Sequence, residues 1–264
     1  MNIGFIGAGN MGGAIIKGYA KAVFVYDNDK EKTAALAALG LPVNIADSLA
    51  ELAGLSDALV LCVKPNIMDE VLDELAALLK GQDRKLIISI AAGISIAFIK
   101  EKLGADTKVV RAMPNTPAMV GEGMCAMAAS EGLPEPDKTE TENLFKAVGM
   151  AVWVREDQMD AVTGISGSSP AYAYLYIEGL VRAGVESGLS EEAATIMAAQ
   201  STLGAGKMVL ENLGKAKPRR LCENVCSPGG TTIEAVKVLE EADFVETVRK
   251  AALASAEKSK LMKK

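Results

Sequence analysis

"GFIGAGNMGGAI", Gly4 to Ile15, sets Gly7, Gly9 and Gly12 in a G-x-G-x-x-G array directly after an apolar run and at the mouth of a helical pattern. In such an array the first glycine permits a tight turn, the second lets the backbone approach a diphosphate, and the third allows close helix packing. The helix that follows turns its unpaired N–H groups and positive dipole end toward the anion. Ile6, Gly7, Ala8, Gly9, Asn10, Met11 and Gly12 are therefore expected to hold a dinucleotide. A glycine-rich turn without a ligand is the competing reading.

Outward from this array, short apolar runs alternate with amphipathic stretches, as strands joined by crossover helices do. "IGFIG", "VFVYD", "ALVLCV", "KLIISI", "KVVRAM", "GMCAMAA" and "MAVWV" read as strands. "NMGGAIIKGYAKA", "DKEKTAALAALG" and "MDEVLDELAALLKG" read as helices, the last two with early acidic residues and a closing Gly. The pattern predicts an α/β domain, a Rossmann-type doubly wound sheet over residues 1–157, with the later strands adding an antiparallel edge.

Beyond about Met159 no strand pattern remains. Ala-, Leu-, Met- and Glu-rich stretches, Met159 to Gly188, Ser190 to Asn212 and Thr231 to Lys264, predict an all-helical domain over 158–264. Pro170 should kink the first stretch or break it in two. Helices apolar on more than one face, with small residues such as Gly164, Ala171 and Gly204, predict burial against a second copy, a homodimer. The basic end "EKSKLMKK" reads as a fraying, solvated helix terminus.

Half of the 264 residues are apolar, enough for two cores, and a net charge of −6 repels a phosphate backbone, so nucleic acid is not an expected partner. The N-terminus lacks a separate charged and apolar region, and the longest uncharged run, Ala161 to Ile177, is interrupted by Gly, Ser, Pro and Tyr. A soluble, cytoplasmic chain with no membrane contact is expected. Cys62, Cys125, Cys222 and Cys226 lack the paired spacing of a zinc ribbon and read as reduced thiols, so no metal is expected. The chain has no histidine, which removes Ser-His-Asp and Cys-His triads, zincin motifs and imidazole proton shuttles.

Asp27 lies 20 residues beyond Gly7, where an acidic side chain accepts from a ribose 2′-OH; it reads equally as a turn or helix-cap residue. Asn28, Lys30 and Lys32 beside it offer partners for a 2′-phosphate. "VKP" (Val63, Lys64, Pro65) and "AAG" (Ala91, Ala92, Gly93) follow strands at the carboxyl edge of the sheet, where ligands bind in such folds. Lys64 also reads as a solvated loop lysine. "MPNTP" around Asn115 either shapes the cofactor pocket or stiffens a turn. "SPGGTTIEAV", Ser227 to Val236, sits where no dinucleotide array is due. Its glycines free the backbone, and Thr231 and Thr232 open a helix, so it reads as an anion cradle or as a helix start whose hydroxyls are consumed in capping.

"FIGAGNMG", "CVKP", "SIAAGI", "VVRAMPNTPAMVGEGM", "GISGSSPAYAYLYIEGL" and "VCSPGGTTIEAVKVLE", in this order, closely resemble Δ1-pyrroline-5-carboxylate reductase. The resemblance implies NAD(P)H-dependent reduction of a cyclic imine to L-proline by a Rossmann domain and a helical dimerisation domain, with larger rings of dimers as a further possibility. It implies that Ser227, Gly229, Gly230 and Thr231 hold the substrate carboxylate, that the Thr232 hydroxyl meets the imine nitrogen, and that Asn224 lies near the nicotinamide. NADPH is the expected cofactor, because the family more often uses it and Asn28 stands where members hold its phosphate; Asp27 argues for NADH, which is accepted too. Relative to the family, "KGYAKAVFVYD" is shorter and "ENLGKAKPRRL" longer, the latter leaving the place of Glu211 open.

Two rivals remain. A β-hydroxyacid dehydrogenase uses a helix-borne lysine as acid; Lys207 in "GAGKMV" is the only comparable residue and lacks that family's surrounding motif. A non-catalytic NADP-binding protein needs only the glycine array, and the Ser227–Thr232 loop argues against it.

Overall fold

The computed structural model describes residues 1–81 and 85–262. It divides into two compact units, residues 1–168 with 253–264, and residues 169–252.

The first unit alternates strands and helices: β1 (Ile3–Ile6), α1 (Asn10–Tyr19), β2 (Val23–Tyr26), α2 (Lys30–Ala37), β3 (Val43–Ile45), α3 (Leu49–Leu55), β4 (Ala58–Leu61), α4 (Met68–Leu78), β5 (Leu86–Ser89), α5 (Ile96–Leu103) and β6 (Lys108–Met113). It continues with β7 (Gly123–Ala129), α6 (Glu135–Lys146), β8 (Gly149–Trp153) and α7 (Met159–Val162). Among the described residues the strands form one sheet in the order β3-β2-β1-β4-β5-β6-β7-β8. Pairing is parallel from β3 to β6, β7 runs antiparallel to β6, and β8 is parallel to β7. The expected antiparallel edge is therefore the pair β7 and β8, both of which run opposite to the other six strands.

β1, β4 and β5 are buried at every position because helices cover both faces of the sheet. Phe5, Val25, Val60 and Ile88 pack with Ile15, Ile16, Leu144 and Phe145 of α1 and α6 on one face. Ile6, Leu59, Leu61 and Ile87 pack with Leu52, Leu72, Leu75 and Ile99 of α3, α4 and α5 on the other. Each such side chain contributes about 1.5–3 kcal/mol on removal from water. The strand order reverses between β1 and β4, so the carboxyl ends of these two strands open a crevice.

α1 ends at Tyr19, short of the Ala22 expected from its pattern, because Ala20 takes a left-handed conformation (φ 53°) and turns the chain toward β2. After α7 the residues Thr163–Gly167 form a π-helical turn, and α8 (Ser169–Glu186) starts with Pro170 in its first turn. The break expected at Pro170 is realised there, where a missing N–H costs nothing.

The second unit is helical: α8, α9 (Glu191–Glu211), α10 (Pro218–Asn224), α11 (Thr231–Glu241) and the start of α12 (Phe244–Leu261). The stretch from Thr231 is two helices, divided where Asp243 adopts φ 53°, a conformation that Asp tolerates. Ser190 caps α9 by accepting from Ala193 N–H at 3.2 Å. α8 and α9 approach closely at Gly184, where a methyl would lie 2.8 Å from Ala194 Cβ. Much apolar surface stays uncovered: α9 buries Ala194 and Ala198, whereas Leu175 of α8 and Ile196 of α9 are 69% and 62% exposed.

The end of α12 is solvated as expected along Glu257, Lys258, Lys260, Leu261 and Met262, but it is anchored at one position instead of frayed. Ser259 is buried, and its hydroxyl contacts Asp160 Oδ1 at 2.8 Å and Thr163 Oγ1 at 3.3 Å, while the Ser255 and Ser168 hydroxyls lie 2.8 Å apart. These polar pairs fix the last helical turns to α7 and the π turn. Lys263 and Lys264 lie outside the described residues.

Candidate functional site

β1 delivers the chain into Gly7, whose φ of 104° suits glycine; a methyl there would lie 2.8 Å from the Cys62 carbonyl oxygen. A methyl on Gly12 would lie 2.5 Å from Gly7 O, so both positions are closed to side chains by neighbouring backbone. Gly9 differs, with nothing within 4 Å of a notional Cβ. It is the N-cap of α1, without a side-chain cap and with no acidic residue in the first turn, so the helix start is open to an anion. Gly7 and Gly12 shape the turn and Gly9 leaves room in front of it, which fits a diphosphate.

Ile6, Gly7, Gly9, Asp27, Asn28, Val63 and Lys64 come together around a 260 Å³ cleft, joined by Tyr26, Lys32 and Cys62. Ala8, Gly9 and Asn10 line a neighbouring 390 Å³ cleft with Lys17, Lys32 and Met119. Asp27 accepts from Ala8 N–H at 2.7 Å through Oδ2 and from Asp29 N–H at 2.9 Å through Oδ1. Both readings of this carboxylate meet here: it serves the turn and stands in the cleft. Asn28 Oδ1 accepts from the Tyr26 hydroxyl at 2.7 Å, which orients the amide.

Lys32 Nζ lies 3.2 Å from Asp29 Oδ2 and 3.9 Å from Asp27 Oδ1. The Asp29 hydrogen bond holds the ammonium above its usual range, and the same bond holds Asp29 below the usual carboxylate range. Lys32 thus places a cation on the wall of both clefts. Cys62, beneath Gly7 and Gly12, was absent from the expected contacts; burial pushes its thiol well up.

Pro65 opens a short 3-10 turn (Pro65–Ile67) with Lys64 as its N-cap. Ala91, Ala92 and Gly93 form the connection between β5 and α5 and lie outside both clefts. Ala91 N–H donates to Ser89 Oγ at 3.3 Å, and Gly93, at φ 78°, leaves no room for a methyl, which would be 2.7 Å from Met262 O. Asn115 is buried and its amide is engaged at both ends: Nδ2 donates to Ser166 O at 2.9 Å and Oδ1 accepts from Met124 N–H at 2.8 Å. It ties the π turn to the start of β7. Met11 packs against the core instead of lining a cleft.

In the helical unit, α10 ends at Asn224 and the chain turns through Gly229 (φ 70°), with Gly230 N–H donating to Ser227 O at 3.0 Å. α11 begins at Thr231. Its N-cap is Gly230 with no side-chain cap, so the Thr231 and Thr232 hydroxyls are not consumed in capping. Ser227, Gly229, Thr231 and Thr232 are exposed. The loop thus offers an uncapped helix start flanked by three hydroxyls, chemistry suited to a carboxylate with a polar neighbour. Among the described residues no cluster of His, Cys, Asp and Glu is able to hold a metal ion, and no helix is long and apolar enough to cross a membrane.

Residues 156–262 match the family model for pyrroline-5-carboxylate reductase dimerisation, and residues 2–93 match that for NADP oxidoreductase, coenzyme F420-dependent. The chain is 40% identical over 269 residues to pyrroline-5-carboxylate reductase from Escherichia coli K12, covering 99% of this chain and 98% of that one. A pyrroline-5-carboxylate reductase from Coxiella burnetii superposes with a TM-score of 0.92 at 35% identity, over 100% of this chain and 98% of that one. Pyrroline carboxylate reductase from Plasmodium falciparum, solved with NADP bound, gives 0.86 at 35% identity over the same shares.

Proposed function

The chain belongs to the pyrroline-5-carboxylate reductase family, and on that premise we propose that it reduces 1-pyrroline-5-carboxylate to L-proline with NADPH, NADH being accepted as well. The observation that carries this reading is the pairing of two uncapped helix starts, one after Gly9 and one after Gly230. One suits a dinucleotide diphosphate and the other a substrate carboxylate.

When bound, NADPH would supply the hydride that C5 of the protonated imine accepts, the C=N π pair passing to nitrogen. An imine of this kind protonates readily, so the chain needs no strong acid, consistent with the lack of histidine. Its residues bind and orient. Ser227, Gly229, Gly230 and Thr231 hold the carboxylate, and the Thr232 hydroxyl accepts from the N–H of the protonated imine, a charge-assisted bond that favours the reactive cation. Ile6 to Gly12 hold the diphosphate, Asp27 and Asn28 the adenosine ribose and its phosphate, and Val63 to Pro65, Ala91 to Gly93, Asn115 and Asn224 the remainder of the cofactor.

We divide the chain into a dinucleotide domain (1–157) and a helical domain (158–264) that binds substrate and dimerises; the span of the dimerisation model supports this boundary. The uncovered apolar faces of α8 and α9 support a homodimer, with rings of dimers as the higher assembly and the cytoplasm as its place. Lys207 lies exposed on α9, and family membership leaves it no role as a dehydrogenase acid.

Absorbance of the reduced cofactor, followed with pyrroline-5-carboxylate and with a panel of 3-hydroxy acids, tests the reading. Oxidation with the imine alone is expected. Turnover of hydroxy acids alone would overturn it.

A further inference from the structure

The N-terminus of α5, into which the Ala91–Gly93 connection leads, is held by a pair of charged side chains brought together from distant parts of the chain. Glu156, in the 3-10 turn (Glu156–Gln158) that follows β8, accepts from Ile96 N–H at 2.7 Å through Oε1. Ile96 is the first residue of α5, so the carboxylate occupies that helix's positive end. The same oxygen lies 3.6 Å from Nη1 of Arg111, whose side chain is only 4% exposed. Arg111 stands in β6, paired in register with Ser89, the last residue of β5.

The pair is poorly built for stability. Burying a guanidinium costs several kcal/mol unless its hydrogen bonds are met, and a pair of apolar side chains of similar volume is often as good as a buried ion pair or better. Arg111 Nη1 is buried without a hydrogen-bond partner, and at 3.6 Å its contact with Glu156 is electrostatic only. A side chain that charges the core for so little return in folding is placed to do something else. Its field restrains Glu156, and Glu156 restrains the N-terminus of α5. Between α5 and the end of β5 lie Ala91, Ala92 and Gly93, with Gly93 closed on its other side by the Met262 carbonyl.

We infer that Arg111 and Glu156 are positioning residues that hold the Ala91–Gly93 connection in the form that receives the dinucleotide. This rests on the reading above, in which that connection touches the cofactor. Neither side chain needs to touch it.

The experiment compares wild type with Arg111→Met, Arg111→Lys, Glu156→Gln and the Met/Gln double variant in the full chain, measuring Tm, the NADPH Kd by fluorescence titration, and kcat at saturating NADPH. Arg111→Met should weaken NADPH by roughly tenfold, as displaced positioning groups do, and leave kcat within about twofold, while the Met/Gln double variant, which removes both charges, should keep or raise Tm. Arg111→Lys should recover part of the affinity. Glu156→Gln should weaken NADPH as well, and the double variant should bind no more weakly than Arg111→Met alone, because the two act as a unit. An unchanged Kd in both Arg111→Met and Glu156→Gln overturns the inference, as does additive loss in the double variant. If Arg111→Met fails to fold, Glu156→Gln decides: a lower Tm with wild-type Kd marks a purely structural pair. Wild type that fails to bind NADPH would instead overturn the underlying cofactor reading.

Discussion

Asp27 Oδ2 accepts the backbone N–H of Ala8 at 2.7 Å, so the carboxylate at the end of β2 is stitched to the middle of the glycine loop. Replacing Asp27 therefore changes the loop and the charge of the cleft together. Asp27→Ser should weaken NADH about tenfold, the worth of one hydrogen bond to a charged group. NADPH should lose less, because removing a negative charge near its 2′-phosphate returns on the order of 1 kcal/mol or less. Titration with both dinucleotides separates these effects, and equal losses would confine Asp27 to loop support.

Gly9 and Gly12 make opposite predictions although they belong to one array. Gly12→Ala sets a methyl 2.5 Å from Gly7 O, a backbone atom, and should cost about 1–3 kcal/mol of stability as an overpacked site does. Gly9→Ala meets nothing within 4 Å and should melt like wild type, yet bind NADPH more weakly because the methyl stands before the helix start. Thermal melting beside cofactor titration checks both; wild-type affinity in Gly9→Ala would move the diphosphate elsewhere.

Thr232→Val keeps shape and deletes the hydroxyl at an uncapped helix start. It should lower kcat/KM for the imine by about 1.5–3 kcal/mol while NADPH affinity barely moves. Steady-state kinetics with a separate cofactor titration decides. A collapse of cofactor binding with substrate kinetics intact would mean that the loop serves the other ligand.

At the end of α1, the buried Tyr19 hydroxyl donates to Glu140, and Lys21 Nζ lies 3.4 Å from the same carboxylate. The Tyr19 bond above all holds Glu140 below the usual carboxylate range. A depressed folded-state value stabilises the fold at neutral pH, and that stabilisation is lost as pH falls through the carboxylate range. Glu140→Gln should cost about 1–2 kcal/mol at pH 7 and progressively less below an ordinary glutamate pKa of about 4.3. Denaturant titrations at the two pH values test this; a constant gap would assign the loss to packing.

What the sequence made legible is local. The glycine array, the buried runs of β1, β4 and β5, and the long helices all announce themselves within a window of a few residues. β3 escaped because it is three residues long, and its Asn44 and Ile45 are exposed, leaving no alternation to read. α10, "PRRLCEN", carries almost no apolar stripe. The π turn at Thr163–Gly167 is held by Asn115, 51 residues away, and a methyl on Gly167 would lie 2.9 Å from Met113 Cε. Asn115 was legible as a polar residue in a stiff loop, but its amide partners come from β7 and the π turn. Arg111 and Glu156 lie 45 positions apart, and the contact of the 3-10 turn after β8 with β6 and α5 brings them together.

Cys62 lies half-buried beneath Gly7 and Gly12, on the wall of the 260 Å³ cleft, and desolvation raises its thiol well above the usual range. Peroxides and alkylating agents attack the thiolate, so a sulfur held as the thiol ages slowly even where a redox cofactor comes and goes. The dinucleotide pocket accordingly carries a cysteine without the chemical fragility that cysteine usually brings. Mild peroxide treatment should leave Cys62 unmodified by mass spectrometry and NADPH binding intact, whereas early sulfenylation at this residue would show that its access to the cleft outweighs the raised thiol.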